Sequence, residues 1–392
     1  MRVLWLSPYA VWPAHSGGRI RNANLIRVLA ERGHTVDVWA VGEPLPSGAD
    51  GPPGTSLRTL YRPHPAVVDR VVRRVPWAPR WNLYLFSFHA LRAVRSASAD
   101  YDVAVVSQSA LATYARALHG RVPWVLDAHN VETAITASVG STGQGLSAMT
   151  RWLDTAHMRR EERWLFAHAA RVVTVSEDDA AEVRREVAQA TVSVRPNGVD
   201  LAYFSLQQHE APAGDRLVMT GHFGYAPNAR GAVWFVHQVL PLLKRRRPET
   251  TVTLVGIEPT AEVLALHDPS AGVVVTGRVP DVRPYLAAAD AFVVPVHSGG
   301  GTRLKALEAL AVGLPTVSTT MGVAGIELGS DPPVLVADDP PSFAAALDTV
   351  LGDVALRRRM IRSGRDLVSC SYDWQSIGAA LEGDLLRIAE HD

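Results

Sequence analysis

Val3-Leu4-Trp5-Leu6-Ser7, Ser16-Gly17-Gly18-Arg19, an amphipathic run to Arg32, Gly33, and Val36-Asp37-Val38-Trp39-Ala40-Val41 follow one another at the start of the chain. The two short apolar runs read as buried strands. Between them, residues 19–32 carry apolar side chains at helical spacing, and Gly33 supplies the stop. Strand, helix, strand in that order joins parallel strands, so residues 3–41 predict a βαβ unit in a parallel sheet with helices on both faces. The loop ahead of the helix resembles a dinucleotide-binding fingerprint only loosely. Ser16-Gly17-Gly18-Arg19 lacks the G-x-G-x-x-G spacing, and a long segment separates it from the strand.

The same alternation continues outward from this unit. Strands are expected at 103–107, 124–128 and 172–176, with a long charged helix at 147–167 carrying Arg159-Arg160-Glu161-Glu162. Residues 42–60, rich in Pro, Gly and Ser, read as loop. Residues 67–88 mix arginines with Trp77, Trp81, Tyr84 and Phe86. That stretch suits either an acceptor-side or peripheral-membrane surface, or a helix with its aromatics packed inward and its arginines in solvent. A short strand then ends at Asn197-Gly198, and residues 207–214 look like a linker. A second series follows, with strands at 217–220, 252–255, 273–276, 291–296, 316–318 and 334–336 and a last helix at 374–389. The expected organisation is an α/β chain of two Rossmann-like parallel-sheet domains facing each other across a cleft. They cover 1–205 and 206–370, with 371–392 a C-terminal helix packing back toward the first.

Composition narrows the classes. At 392 residues the chain exceeds one ordinary core, and with 47% hydrophobic and 20% charged residues both domains should be ordered. The formal net charge of +0 argues against a broad nucleic-acid surface. Cys370 is the single cysteine, which excludes a disulfide framework and a thiolate metal site and fits a reducing cytoplasm. No apolar run reaches the roughly 18 residues a membrane helix needs, so the chain is expected to be soluble or at most peripheral. The 14 histidines are scattered without an H-x-x-x-H pair, so no metal site is expected. Nor is there a G-x-S-x-G elbow for hydrolase chemistry.

The chemistry concentrates in residues 295–315. A strand running to Val296 meets Gly299-Gly300-Gly301, a helix begins near Thr302, and Gly313-Leu314-Pro315 ends it. Strand, glycine turn and helix N-terminus bring free backbone N–H groups and the positive end of the helix dipole to one point, which suits a phosphate. Arg303 and Lys305 add fixed positive charge; Lys305 is one of only two lysines, with Lys244. Glu308 falls on the stripe formed by Leu304, Leu307 and Ala311. An inward carboxylate costs several kcal/mol, on the order given for buried ions, unless donors reach it.

Asn197-Gly198-Val199-Asp200, Thr276-Gly277-Arg278-Val279-Pro280-Asp281-Val282 and Gly299 through Pro315, in that order, resemble the signature of the retaining glycosyltransferases of family 4, which have the GT-B fold. Gly221 through Asn228, followed by Trp234-Phe235, is similar to members that act in polysaccharide assembly. The resemblance implies a nucleotide-sugar donor held by the C-terminal domain and a hydroxyl acceptor held by the N-terminal one, with no cofactor. It assigns Glu308 to the ribose hydroxyls, Gly301, Thr302 and Arg303 to the diphosphate turn, and His129 to the side of the donor sugar, with Asn130 and Glu132 sharing the task. Gly17 and Gly18 would let backbone approach the diphosphate or the acceptor. Val279 joins the donor-side residues through its motif.

Two departures stand out. Members commonly carry a pair of glutamates, the first of which falls here at Gly300, so the side chain that contacts the donor sugar is missing. Near Gly221, where members place Arg and Lys, the chain has His222 and either Asn228 or Arg230, so the charge facing the leaving group is expected to come more from Arg303, Lys305 and Arg230. The expected activity is metal-independent, retaining transfer of a sugar onto a polysaccharide or glycolipid intermediate. The alternatives are a glycosyltransferase acting on a small secondary metabolite, a nucleotide-sugar epimerase or hydrolase, and a non-catalytic nucleotide-sugar-binding module.

Overall fold

A computed structural model describes residues 1–61, 85–134, 146–205, 214–298 and 304–390. The chain divides into two compact units, Met1–Pro196 with Trp374–Asp392, and Asn197–Asp373. The first contains β1 (Arg2–Ser7), β2 (Thr35–Ala40), β3 (Thr55–Thr59), β4 (Val103–Ser107), β5 (Trp124–Ala128), β6 (Arg171–Thr174) and β7 (Val192–Val194). They form a sheet in the order β3-β2-β1-β4-β5-β6-β7 with every pairing parallel. The second unit contains β8 (Arg216–His222), β9 (Thr251–Ile257), β10 (Val273–Gly277), β11 (Ala291–Val294), β12 (Thr316–Ser318) and β13 (Val334–Val336). Their order is β10-β9-β8-β11-β12-β13, again all parallel. Both orders start in the middle, run to one edge, return and run to the other. That doubly wound path leaves a switch point between β1 and β4 and another between β8 and β11, where successive loops leave in opposite directions and open a crevice at the C-terminal strand ends.

The apolar runs read from the sequence are buried on both sheet faces, as parallel sheets require. In β8, Leu217 and Met219 join a core with Phe235 and Phe343, while Val218 between them joins another with Phe292 and Leu307. That is the two-residue period of a strand. In the first unit Leu4, Leu6, Trp39, Trp124 and Phe166 share one core. Two helices end in the same way. After Gly17–Glu31, Gly33 takes φ +89 and His34 N–H bonds to Leu29 O at 3.1 Å; after Leu304–Ala311, Gly313 takes φ +76 and Leu314 N–H bonds to Ala309 O at 2.9 Å. Glycine suits both because, lacking a Cβ, it adopts this left-handed conformation without the strain other residues would carry.

The structure differs from the sequence expectation in two places. Residues 42–60 are not all loop: Thr55–Thr59 adds a parallel edge strand to β2, and its alternation of Thr, Leu and Thr was masked by the surrounding Pro and Gly. The first unit ends at Pro196 rather than 205, because Val199 pairs with Asp373 and its N–H bonds to Tyr372 O at 2.7 Å. The aromatic and arginine stretch lies outside the described residues from 62 to 84, as does most of the linker, 206–213. Among the described residues no helix is long and apolar enough to cross a membrane.

Helix Trp374–Ala389 belongs to the first unit, packed on helix Gly17–Glu31. A Cβ on Gly378 would lie 2.5 Å from Val28 Cγ1, so the glycine sets the closeness of that crossing. Polar contacts fix its register: Glu382 bonds His34 Nε2 at 2.6 Å and pairs with Arg32. Asp384, with no exposed side-chain surface, takes Arg195 at 2.7 Å, Arg171 at 3.2 Å, Arg387 at 2.6 Å and the Ser193 hydroxyl at 3.1 Å. Removing this carboxylate leaves Arg171 and Arg195 facing each other without it. Asp384→Ala is therefore expected to lower unfolding stability by about 3–5 kcal/mol, read as a shifted urea midpoint; a change under about 1 kcal/mol would show that the hub does not hold the helix.

Candidate functional site

Each unit carries a polar cluster at its own switch point. In the first, β1, β4 and β5 end at Ser7, Ser107 and Ala128; Gln108 and His129 follow directly and Tyr9 two residues on. Beneath them Arg21, from helix Gly17–Glu31, meets Asp127, the penultimate residue of β5, both side chains only 1% exposed. Arg21 Nη2 is 2.6 Å from Asp127 Oδ1 and Nε is 3.0 Å from both carboxylate oxygens, while Nη1 donates to Arg195 O at 2.9 Å and Pro196 O at 3.2 Å. Burial alone would raise the Asp127 carboxyl, but the Arg21 guanidinium and the His129 ring outweigh it and hold it well below the usual carboxylate range.

The ionised Asp127 fixes His129. Its Oδ2 lies 3.1 Å from His129 Nε2, and a carboxylate only accepts, so Nε2 carries the proton. Ser107 Oγ, which donates to Asn22 Oδ1 at 3.0 Å, is a second acceptor for that proton at 3.3 Å. In the neutral ring Nδ1 is then the acceptor, 3.1 Å from Gln108 Nε2. The same amide nitrogen donates to Tyr9 Oη at 3.0 Å. Burial, then Asp127, push the Tyr9 phenol up, so it stays neutral and keeps its proton. Gln108 holds this position with φ +79 and ψ 147, a conformation that costs on the order of 1–3 kcal/mol outside glycine. Its backbone is held there by Gln108 N–H to Asp127 O at 3.0 Å and Leu111 N–H to Gln108 O at 3.2 Å.

Gly18 has a local reason to be glycine: a Cβ would sit 2.1 Å from Tyr9 Oη and 3.1 Å from His129 Nδ1. The room that the sequence suggested for a ligand is taken by Tyr9; Gly17 beside it is exposed. From below, buried Glu162 accepts from Glu132 N at 2.8 Å, Thr133 N at 3.1 Å, Thr133 Oγ1 at 2.7 Å and Ser109 Oγ at 3.2 Å. One half of the charged run on the long helix therefore clamps the loop after His129, and Glu161 pairs with Arg116. Asn130 is half-buried and bonded to the Glu132 carboxyl, which burial and Glu162 raise.

In the second unit the structure brings His222, Asn228 and Lys305 together. Lys305 Nζ donates to Asn228 Oδ1 at 2.7 Å, and Asn228 Nδ2 donates to His222 O at 2.9 Å. Gly221 makes the space: its Cβ would lie 3.1 Å from Lys305 Nζ and 3.2 Å from Asn228 Nδ2. His222 Nε2 pairs with Glu258 Oε2 at 2.9 Å on the surface, and Glu258 is the second non-glycine residue at positive φ, +51. Glu308 lies one turn along the helix from Lys305. Its neighbours Ala306, Leu307 and Leu310 form the buried face, while Leu304 and Glu308 are half-buried at its side, so the carboxylate sits on the margin of the stripe rather than in its centre. Burial pushes its carboxyl up to about 7 against the opposing pull of the Lys305 ammonium, and among the described residues no hydrogen bond reaches it. Arg230 is exposed and Val279 half-buried in an apolar cluster, and neither joins this group. Gly300, Gly301, Thr302 and Arg303 lie outside the described residues. Among the described residues no group of three His, Cys, Asp or Glu is placed to hold a metal ion.

Two doubly wound parallel sheets, each with a polar cluster at its switch point, define a GT-B glycosyltransferase fold. Sucrose-phosphate synthase from Thermosynechococcus elongatus is similar with a TM-score of 0.72 at 19% identity, over 99% of this chain and 98% of that one. The Anabaena protein HepE, solved with UDP, is similar with a TM-score of 0.68 at 16% identity, over 99% and 100%. The chain belongs to glycosyltransferase family 4: residues 15–203 match Glycosyltransferase Family 4 and residues 214–353 match Glycosyl transferases group 1. Glycogen synthase of Mycobacterium tuberculosis is 27% identical over 234 residues, 56% of this chain and 54% of that protein. The GDP-mannose-dependent α-(1-6)-phosphatidylinositol monomannoside mannosyltransferase of Mycolicibacterium smegmatis is 29% identical over 158 residues, 37% and 41%. The chain thus spans about half the length of the curated relatives it matches.

The Glu308 environment has a measurable consequence without ligand. Its folded-state pKa lies above the unfolded value, so the folded state binds the extra proton and loses stability as pH rises from about 4.5 through about 7. Glu308→Gln is expected to stabilise the ligand-free protein at pH 8 by on the order of 1–3 kcal/mol and to leave it unchanged below pH 4.5. Urea unfolding at the two pH values checks this, and equal effects at both would show that the carboxyl is not held in that environment.

Proposed function

We propose that the chain moves a sugar from a nucleoside-diphosphate donor to a hydroxyl acceptor with retention of configuration and without a metal ion, the acceptor being a polysaccharide or glycolipid intermediate. The observation that carries this reading is Glu308: a half-buried carboxyl, unpartnered among the described residues, one turn from a lysine at a switch point and seven residues after the Gly299-Gly300-Gly301 run of the sequence. A ribose supplies two vicinal hydroxyl donors to such a carboxylate, and the diphosphate attached to it meets Lys305. Asn228 holds Lys305 in place through the 2.7 Å bond. That ammonium stabilises the charge that develops on the leaving diphosphate, a contribution that is largest in a dry, preorganised site. In the first unit, the network under His129 orients the sugar and its acceptor, which is the positioning share of the rate.

Retention then follows from a front-face route. The bond from the anomeric carbon to the diphosphate oxygen breaks, that oxygen takes the acceptor proton, and the acceptor oxygen bonds the anomeric carbon on the same face. The chain's own task is to bind, align and stabilise.

The relatives named above point to UDP and GDP as the first nucleotides to try, with glucose and mannose as the first sugars. A thermal-shift screen of both diphosphates and their sugars is expected to raise Tm for one base, in proportion to RT ln(1 + [L]/Kd). With that donor, Glu308→Ala is expected to raise KM at least tenfold, and Lys305→Met to lower kcat about 100-fold with donor Kd changed far less. EDTA leaves turnover intact. Unchanged donor kinetics in both variants would refute the assignment, and donor consumed equally fast without acceptor would replace transfer by hydrolysis or epimerisation.

A further inference from the structure

His119 and His168 stand apart from the polar cluster of the first unit. His119 follows helix Ala112–Leu118 and His168 is the last residue of helix Leu146–His168, so two helix C-termini, each the negative end of its dipole, come together there. Both residues are exposed, and their ring centres lie 5.1 Å apart at 87°. The His168 ring stacks on Trp164 at 4.6 Å, and Trp164 stacks at 6.1 Å on Trp124, the first residue of β5. His129 follows the other end of that strand, so at about 3.3 Å per residue the pair lies roughly 15 Å from it.

The two rings have nitrogens to offer. His168 Nδ1 is 2.8 Å from Trp164 O, which only accepts, so Nδ1 carries the proton and in the neutral ring Nε2 keeps its lone pair. Neither that nitrogen nor either nitrogen of His119 has a hydrogen-bond partner among the described residues. A ring N–H tied to a backbone carbonyl is the usual support behind a metal-ligating histidine, because it fixes the tautomer and the direction of the ring. The nearest cation is already neutralised: Arg116, over the Trp164 ring at 4.4 Å, pairs with both Glu161 oxygens at 2.5 and 3.0 Å.

We propose that His119 and His168 form a surface site for one zinc ion, with water in its remaining positions. The spacing supports this. With Zn–N of about 2.1 Å and about 1.1 Å from nitrogen to ring centre, two imidazoles at a tetrahedral angle have centres about 5.2 Å apart, and a square-planar cis pair about 4.5 Å. The observed 5.1 Å fits the tetrahedral ion, and perpendicular rings can each hold it in their own plane. The ion ties the ends of two helices together and so stabilises the folded chain. It takes no part in sugar transfer, and the inference does not rest on the nucleotide-sugar reading.

Zinc chloride titrated calorimetrically into the full chain, without nucleotide, is expected to bind with one tight equivalent, and NMR of the ring nitrogens to show His119 and His168 shifting together. His119→Phe and His168→Phe each keep an aromatic ring and are each expected to lower zinc affinity at least tenfold, while His89→Gln, an exposed histidine on helix Phe88–Ala97, changes it at most twofold. Zinc is expected to raise Tm in the unsubstituted chain and in neither Phe variant. Affinity unchanged in either Phe variant, or zinc that leaves either ring signal still, would overturn the proposal. The ring signals are read on the unsubstituted chain, so a Phe variant that fails to fold does not decide the outcome. If zinc passes these rings by and Glu308→Ala still raises donor KM, the site fails and the transferase reading stands.

Discussion

The Arg21–Asp127 ion pair is the constraint on which the first unit's chemistry depends. Two charges at 1% exposure carry a desolvation cost of several kcal/mol each, which only close geometry and full hydrogen bonding offset. Here both conditions hold, since the guanidinium also reaches two carbonyls at 195 and 196. The pair therefore ties helix Gly17–Glu31, the end of β5 and the exit of β7 into one piece. It also keeps Asp127 ionised, which puts the His129 proton on Nε2, which in turn settles which end of the Gln108 amide faces the ring. A chain of four side chains takes its orientation from one buried charge.

The second unit is built the opposite way. Its acidic group, Glu308, is half-buried and unpartnered among the described residues, so its charge is disfavoured where that of Asp127 is favoured. A preformed network is useful where geometry must be held before anything binds. An unsatisfied carboxyl is useful where binding should supply the missing donors, because the energy released on pairing then appears as ligand affinity. On the proposed reading, the stability given up at Glu308 is recovered when ribose hydroxyls donate to it. The Lys305–Asn228–His222 chain is intermediate: the 2.7 Å bond to Asn228 sets the position of the lysine.

Much of the fold was legible because parallel strands buried on two faces must be apolar throughout, and helices between them must alternate at their own period. That pattern located the strands of both sheets except β3, an edge strand with polar residues and little burial, where hydrophobic periodicity has nothing to report. Glu308 stood out because a charge near an apolar stripe conflicts with its surroundings. Asp127 carried the same signal inside Val125-Leu126-Asp127-Ala128 and could have been read as a buried carboxylate in need of a cation; Arg21 was hidden because arginines on a helix are ordinarily solvated. Gln108 and Tyr9 had no signal of their own. A positive φ and the direction of an amide come from tertiary contacts, and only glycine advertises such a backbone in sequence.

Among the described residues, the two non-glycine residues at positive φ, Gln108 and Glu258, immediately follow the C-terminal end of a parallel strand, and each bonds a histidine of its polar cluster. The coincidence has a mechanical origin. A parallel ladder fixes the last residue of each strand through its neighbours, so the next residue inherits a rigid base and can be held off its preferred conformation without disturbing the core. Gln108 shows how: its N–H continues the ladder to Asp127 O on β5 while its side chain is turned across the crevice. The same strain in mid-strand would break pairing on both sides, and in a free loop it would relax. Strand ends at a switch point are thus where a doubly wound sheet can aim a side chain against local preference, which explains why the polar groups gather there in both units.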